Sequence, residues 1–303
     1  MAISRAQLVK ELEPGLNALF GLEYKQYENQ HSEIYTSESS DRAFEEEVML
    51  SGFANAQVKG EGSGVSFDEA QETFSARYTH ETVALAFAIT EEAIEDNLYD
   101  RIASRYTKAL ARSMSNTKQV KSVEPLINGL PTTDSFDSGD GVSLFSTAHP
   151  TIAGTYKNTL SAQADLNETS LEQSLIDIAA MTDERGLRIA ARGVKMIIPS
   201  KLQFTAERLM KSQGRTATAD NDINAIASMG MIPQGYRVNN YLTDDDAFYI
   251  ITDVPNGMKM FNRAPLTTAM EGDFDTGNVR YKARERYSFG VSDPRGIFGV
   301  EGA

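Results

Sequence analysis

The chain has 303 residues, 41% of them hydrophobic, enough for one large or two ordinary domains with a buried core, which excludes global disorder. A formal net charge of −14 argues against a dedicated nucleic-acid binder, whose surface would be basic, although an acidic wall could stand beside DNA and repel it. The absence of cysteine excludes disulfides, thiolate chemistry and any Cys-containing zinc site.

The opening Met1-Ala2-Ile3-Ser4-Arg5 lacks the apolar core of a secretory signal, and no run approaches the roughly 20 apolar residues that span a bilayer. Ile3 to Leu12 suits a short helix that stops at Pro14-Gly15. Tyr24, Tyr27 and Tyr35 then alternate loosely with glutamates, and Ser37-Glu38-Ser39-Ser40-Asp41 is a loop by composition. Residues 1–47 read as an extended acidic arm.

A long two-stranded ribbon follows. Val48-Met49-Leu50 leads out, Lys59-Gly60-Glu61-Gly62-Ser63-Gly64 turns, and Phe74 to Ile89 leads back. An isolated hairpin is marginal in water. Three glycines in five residues raise the entropy lost on ordering the tip. Such a ribbon is expected to be held by something outside the monomer, which points to an assembly subunit.

A helix is predicted from an N-cap at Thr90 through Lys118, about 40 Å long. Glu91, Glu92, Glu95 and Asp96 lead, and Arg101, Arg105, Lys108, Arg112 and Lys118 follow, the order that the helix dipole favours. Ile94, Leu98, Ile102, Tyr106, Leu110 and Met114 form its apolar stripe. Residues 125–168 read as mostly irregular.

From Asn167 to about Asp253 the pattern is α/β. Thr169-Ser170-Leu171-Glu172 is a capping box for a helix with Leu171, Leu175, Ile178 and Met181 on one face, ended by Gly186. Val194 to Ile198 is a strand. Ser200 and Gln203 cap a second helix closed by Gly214, and Ile223, Ile226 and Ala227 suggest a third. Tyr236 to Leu242 and Phe248 to Thr252 read as strands around the turn Asp244-Asp245-Asp246. In the tail, Val279, Tyr281, Tyr287, Phe289 and Val291 share one face of a long strand, and Arg280, Lys282, Arg284 and Arg286 share the other.

Chemistry is sparse. The three histidines, His31, His80 and His149, form no HExxH pattern. His149, with Ser146 nearby, is the one candidate base, but no GxSxG elbow accompanies it and a loop histidine is the better reading. Gly60, Gly62 and Gly64 lack the lysine and helix start of a phosphate loop, and Glu61 would repel phosphate. Asp244-Asp245-Asp246, Asp220-Asn221-Asp222 and the set Glu271, Asp273 and Asp275 suit solvated turns better than cation sites. Glu45-Glu46-Glu47 has no basic neighbour in sequence and suits either solvent or a positive patch on another subunit. No catalytic, cofactor or metal residue is assigned.

With these segments in order, the chain resembles the major capsid protein of tailed bacteriophages, the Hong Kong 97-type fold, and within it the Mu-like major head subunit branch. The resemblance is carried by Leu144-Phe145-Ser146-Thr147-Ala148-His149-Pro150, Asp183-Glu184-Arg185-Gly186, Val194 to Leu202, Ala206-Glu207-Arg208-Leu209-Met210, and Arg286 to Gly296. It covers nearly the whole chain, and the ordered set, rather than any one motif, is what carries it.

The resemblance implies an α+β fold with four parts: an N-terminal arm (1–47), an extended β-hairpin loop (48–86), a peripheral domain with a long spine helix (87–165 and 265–303), and an axial α/β domain (166–264). It implies a head subunit of a virion that encloses double-stranded DNA. The shell assembles in the host bacterial cytoplasm from hexamers and pentamers of the chain, without sequence-specific DNA contact and without a membrane. A portal is a further partner, with a scaffold, separate or none, and cement proteins as open additions, since residues 1–47 are too short for a fused scaffold. The intersubunit contacts would come from Glu45, Glu46, Glu47, Phe53, Lys59, Gly60, Gly62, Gly64, Val65 and Phe67, with Arg284 and Arg286 receiving an acidic arm or the Glu45–Glu47 run. Some relatives crosslink lysine to asparagine between subunits, and Lys59 lies at the loop tip, but neither the partner asparagine nor the promoting carboxylate can be placed in the sequence, so that chemistry is left open. The alternatives are another phage structural protein, of tail or decoration type, and a hydrolase using His149.

Overall fold

A computed structural model of the chain describes residues 5–90, 92, 99–133, 135–214, 222–273 and 277–303. Five helices of at least five residues and twelve strands are arranged around two four-stranded sheets and two hairpins among these residues.

The first sheet has the order β1 (Thr36–Ser39), β10 (Met258–Gly272), β11 (Val279–Val291) and β4 (Glu81–Ile89). β11 is the tail strand expected from its alternation. Val279, Tyr281, Ala283, Glu285 and Tyr287 are buried, while Arg280, Lys282 and Arg284 are exposed. Its antiparallel partner β10 was not visible as a strand in the sequence. The pairing slips between Asn262 and Thr267, around Pro265. Proline donates nothing to a ladder and is tolerated at such bulges, and here it breaks the alternation that would have announced the strand.

Two helices cover the buried face of this sheet. α1 (Arg5–Gln26) continues through Pro14, where a stop was expected. Tertiary burial overrides the local break, which costs about 3 kcal/mol in a helix interior. Leu16 and Phe20 bury with Ala103, Leu110, Met114 and Tyr281 in one cluster. α2 (Tyr99–Asn128) is the long helix, about 45 Å at 1.5 Å per residue. It extends ten residues beyond the expected end at Lys118, because Val123 and Leu126 bury in a second core. Its buried face runs through Ala103, Thr107, Leu110, Ala111 and Met114, so Tyr106, at 53% exposure, lies off the stripe. The expected residues Glu91, Glu95, Asp96, Ile94 and Leu98, and the side chain of Ile102, lie outside what is described.

The second sheet has the order β12 (Ile297–Val300), β9 (Phe248–Thr252), β7 (Gly193–Ile198) and β8 (Tyr236–Val238). α3 (Glu168–Ala179), α4 (Gln203–Lys211) and α5 (Ala225–Met229) pack here, with Leu171, Leu175, Ile178 and Met181 on one core with Met196, Ile250 and Phe298. The helix ends differ from those read in the sequence. Asn167, two residues earlier than expected, forms the capping box with Ser170. α3 ends at Ala179, and Gly186 instead turns the loop Asp183–Leu187. Ser200 opens a 3-10 turn and makes no capping bond with Gln203. α4 ends at Lys211, before Gly214.

Candidate assembly surface

The ribbon consists of β2 (Phe44–Leu50) and β3 (Glu72–Thr79), paired antiparallel from Phe44↔Thr79 to Leu50↔Glu72. The return strand expected as one run from Phe74 to Ile89 is two strands. It breaks at His80, where the chain leaves the ribbon and enters the first sheet as β4. Residues 51–71 form no regular structure. They are closed at the neck, where Ser51 N–H donates to Gln71 O (2.8 Å) and Gln71 N–H to Ser51 Oγ (2.9 Å). They turn at the tip, where Ser63 Oγ donates to Gly60 O (2.7 Å) and Gly62 adopts φ +79°. Glycine takes that left-handed conformation without a Cβ clash.

The large apolar side chains of residues 51–71 are exposed. Val58 is 100% and Phe67 97% exposed, and Phe53 and Val65 are also exposed. Arg185 Nη2 donates to Glu69 O (2.5 Å), tying the loop's base to the Asp183–Leu187 turn. Lys59, Gly60 and Gly64 lie at the exposed tip.

The root is firmly built. Tyr78 is buried, its hydroxyl 2.5 Å from Ser292 Oγ and its ring edge-on to Phe261 at 4.8 Å. The ring lies over Gly290, where an added Cβ would meet Tyr78 Cε1 at 2.6 Å. His80 stands between Ser40 Oγ (2.9 Å) and Ser288 Oγ (3.0 Å). Burial, with Arg286 nearby, holds its pKa below the ordinary histidine value.

The acidic run finds partners inside the chain. Glu47 meets Lys259 Nζ at 2.5 Å, and Glu38 meets the same nitrogen at 3.2 Å. Burial pulls the Lys259 pKa down, but these two carboxylates outweigh it and hold the ammonium above the usual lysine range. Glu46 lies 3.7 Å from Arg77, and Glu45 accepts from Ser40 Oγ at 2.6 Å. The sequence could not show this, because Lys259 lies on the strand hidden by Pro265. Arg284 is exposed on the face of the first sheet away from the helices, Arg286 is half-buried near His80, and neither forms an ion pair with Glu45–Glu47 among the described residues.

His149 is not a solvent-facing base. It is fully buried, with Nδ1 2.7 Å from Asp140 Oδ2 and Nε2 2.9 Å from Asn158 Oδ1. Asn158 Nδ2 donates to Leu144 O at 2.7 Å, which leaves Oδ1 facing the ring. Ser146 Oγ accepts from Ala148 N–H instead of meeting the imidazole. Burial pulls Asp140 up, yet hydrogen bonds from His149 and Ser138 prevail and hold its carboxyl below the usual range. The ring stacks on Tyr156 at 4.9 Å, and the Arg295 guanidinium lies 4.2 Å from the Tyr156 ring centre. Arg295 reaches Glu184 at 2.5 Å and Asp293 at 3.3 Å, so two separated sequence motifs meet in one buried knot. Nothing in the spacing of these residues announced their meeting.

Among the described residues no three His, Asp or Glu side chains could hold a metal ion, and no helix is long and apolar enough to cross a membrane. Asp246 pairs with Lys201 at 3.0 Å and Asp273 with Arg280 at 2.5 Å. Asp220, Asn221 and Asp275 lie outside the described residues.

Residues 73–300 match the family model described as phage capsid protein. No curated protein matches the sequence. Among solved structures, the chain is similar to the virus-like particle from Pyrococcus furiosus, at 12% identity and TM-score 0.51, covering 94% of this chain and 98% of that one. It is similar to the capsid of Myoviridae phage XM1, at 12% identity and TM-score 0.54, covering 89% of each. It is also similar to the capsid of a native GTA particle, at 14% identity and TM-score 0.53, covering 90% of this chain and 89% of that one. The two sheets, the long helix and the projecting ribbon therefore have a common explanation: the chain belongs to the phage capsid protein family and is built on the Hong Kong 97-type fold.

Proposed function

We propose that this subunit builds its shell by lending residues 51–71 to a neighbouring copy, as a strap, in hexamers and pentamers that close around double-stranded DNA. The observation that carries the reading is the ribbon itself. Its root is rigid, and its outer half exposes Phe53, Val58, Val65 and Phe67 with no cover from its own chain. Four large exposed apolar side chains on one loop of about twenty residues suit an interaction site better than free solvent. One strap contributes modestly, but a closed shell engages many at once, so stability becomes collective.

On this reading α2 and the first sheet form the peripheral domain, and the second sheet with α3 to α5 crowds the centre of each ring. The work is mechanical and uses no catalytic residue or cofactor. DNA is enclosed without sequence-specific contact, assembly takes place in the host cytoplasm, and a portal, with or without scaffold or cement proteins, completes the head. Placement in the Mu-like branch rests on the ordered sequence segments alone.

Deleting residues 60–64 and imaging the purified protein by negative-stain electron microscopy tests the reading. The full chain should give closed shells, and the deletion should give folded, unassembled protein. Shells of normal form from the deletion overturn the strap. Rings, tubes or trimers from the full chain indicate a tail or decoration protein.

A further inference from the structure

We propose that Arg185, carried on the turn Asp183–Leu187, is a positioning residue for assembly: it props the neck of the ribbon from within the same chain and so fixes the angle at which residues 51–71 leave the subunit. The inference rests on the strap reading above and names the residue that aims the strap.

The ribbon needs such a prop. β2 and β3 pair only with each other, and two strands without a covering layer are marginal and strongly twisted. Tyr78 anchors the root. At about 3.3 Å per residue, Glu69 stands up to roughly 30 Å further out, so a tilt of about 10° at the root moves the neck by roughly 5 Å. Among the described residues, Arg185 is the one side chain from elsewhere in the chain that reaches residues 52–70 by hydrogen bond or ion pair. Its Nη2 donates to Glu69 O (2.5 Å) and lies 3.9 Å from Asp68 Oδ1. Asp68 ties the two arms of the loop together, its Oδ2 accepting from Ala54 N–H (2.7 Å) and its Oδ1 from Glu69 N–H (2.9 Å). The prop therefore meets the loop where both arms move as one.

The turn that carries Arg185 is held on every side. Asp183 Oδ1 accepts from Arg185 N–H (2.9 Å) and Leu187 N–H (2.7 Å), and Asp183 N–H donates to Leu187 O (2.8 Å). Gly186 takes φ +79°, and a Cβ there would stand 3.1 Å from Ala153 Cβ, at the bend of the hairpin His149–Tyr156. Glu184 O accepts from Ala153 N–H (3.2 Å). Glu184 Oε1 holds Arg295 Nη2 at 2.5 Å, and Arg295 Nε donates to Thr182 O at 2.8 Å. The turn is thus pinned to the buried knot of His149, Tyr156 and Arg295.

The Arg185 side chain is only 16% exposed, although the Asp68 beside it is 41% exposed. Its Nε is buried without a hydrogen-bond partner among the described residues. Arginine is seldom buried unless paired, and an unpaired buried donor is destabilising. Subunit stability therefore gives no reason for the placement, whereas aiming the ribbon does. The turn follows α3, which packs on the second sheet, so the prop couples the ribbon to that half of the subunit. Straps that leave every copy at one angle give one rotation between neighbours, and a single rotation is what closes a shell.

Arg185→Met tests the prop, since it keeps the stem of the side chain and removes its donors. In the unassembled full chain, spin labels at Ser66→Cys and Ile176→Cys report the ribbon's angle, specifically because the chain has no cysteine of its own. The parent should give one narrow distance and Arg185→Met a broadened distribution, with circular dichroism and melting temperature close to the parent's. In negative-stain images the variant's particles should lose their single diameter and include open sheets. Joining Arg185→Cys to Glu69→Cys with a short bismaleimide should restore one diameter. Shells of one normal diameter from Arg185→Met, an unchanged spin-label distance, or a spread of diameters that survives the crosslink overturns the proposal. If deletion of residues 60–64 still blocks assembly in that case, the strap stands and only its aiming falls. If that deletion assembles normally, the strap reading has failed and takes the prop's part in assembly with it. If Arg185→Met does not fold, Arg185→Gln, which stays polar but is shorter, takes its place with the same outcomes.

Discussion

Lys259 Nζ lies 2.5 Å from Glu47 Oε1, and this contact fastens the first strand of the ribbon to the first sheet. Because Lys259 also meets Glu38 of β1, one buried cation joins the arm, the ribbon and β10. Hydrogen bonds to charged groups contribute about 1.5–3 kcal/mol when buried, and the partly exposed carboxylates place this one at the lower end. Lys259→Ala should lower stability by about 1–2 kcal/mol, read from denaturant midpoints, and should speed amide exchange in β2. Unchanged exchange in Phe44–Leu50 would show that the ribbon's root does not depend on this ion.

Gly290→Ala introduces a methyl group 2.6 Å from the Tyr78 ring. Tyr78 cannot withdraw easily, since its hydroxyl is bound to Ser292 and its ring packs on Phe261. Overpacking of this kind costs about 1–3 kcal/mol, which should appear as a lowered melting temperature with the fold retained. A melting temperature equal to that of the parent would mean that the root is looser than described.

His149→Ala removes the imidazole from Asp140 and Asn158 and leaves a buried carboxylate without its partner. Breaking a buried pair in this way costs about 3–5 kcal/mol. The variant should be the least stable of those considered, by denaturant titration. A loss well under about 1 kcal/mol would contradict the role of the knot as a structural pin.

His31 and His80 set a pH dependence. Burial, then the Lys118 charge, lowers the His31 pKa from 6.5 to about 4, against the opposing hydrogen bond with Gln119. Burial likewise lowers His80. The unfolded chain therefore binds more protons than the folded one between about 4 and 6.5. The stability contribution is complete above 6.5 and is lost as pH falls through that window. Denaturant midpoints should drop between about pH 7 and pH 5, and the drop should shrink in His31→Gln. A pH profile as steep in the variant as in the parent would remove His31 as a cause.

What the sequence revealed depended on which faces are one-sided. β11 was legible because one face is buried and the other solvated, so its side chains alternate. The ribbon's tip was legible because glycine marks turns. β10 was hidden by Pro265 at its bulge, and with it Lys259 and the fate of Glu47. The break at His80 left no mark, because strands on either side of a sheet switch draw on the same residue types. The passage of α1 through Pro14 is a tertiary effect, fixed by Leu16 and Phe20 in a core that local sequence does not contain. The knot of His149, Asp140, Asn158 and Arg295 joins loops far apart in the chain, and no local pattern encodes their meeting.

Amide hydrogen exchange across residues 51–71, compared between unassembled protein and closed shells, tests the central claim most directly. With the outer half of the ribbon buried only on another copy, exchange there should be fast in the free subunit and slow by roughly tenfold or more in the shell, with Tyr78 and its neighbours protected in both. Equal exchange in the two states, whether fast or slow throughout, would mean that assembly does not cover the ribbon.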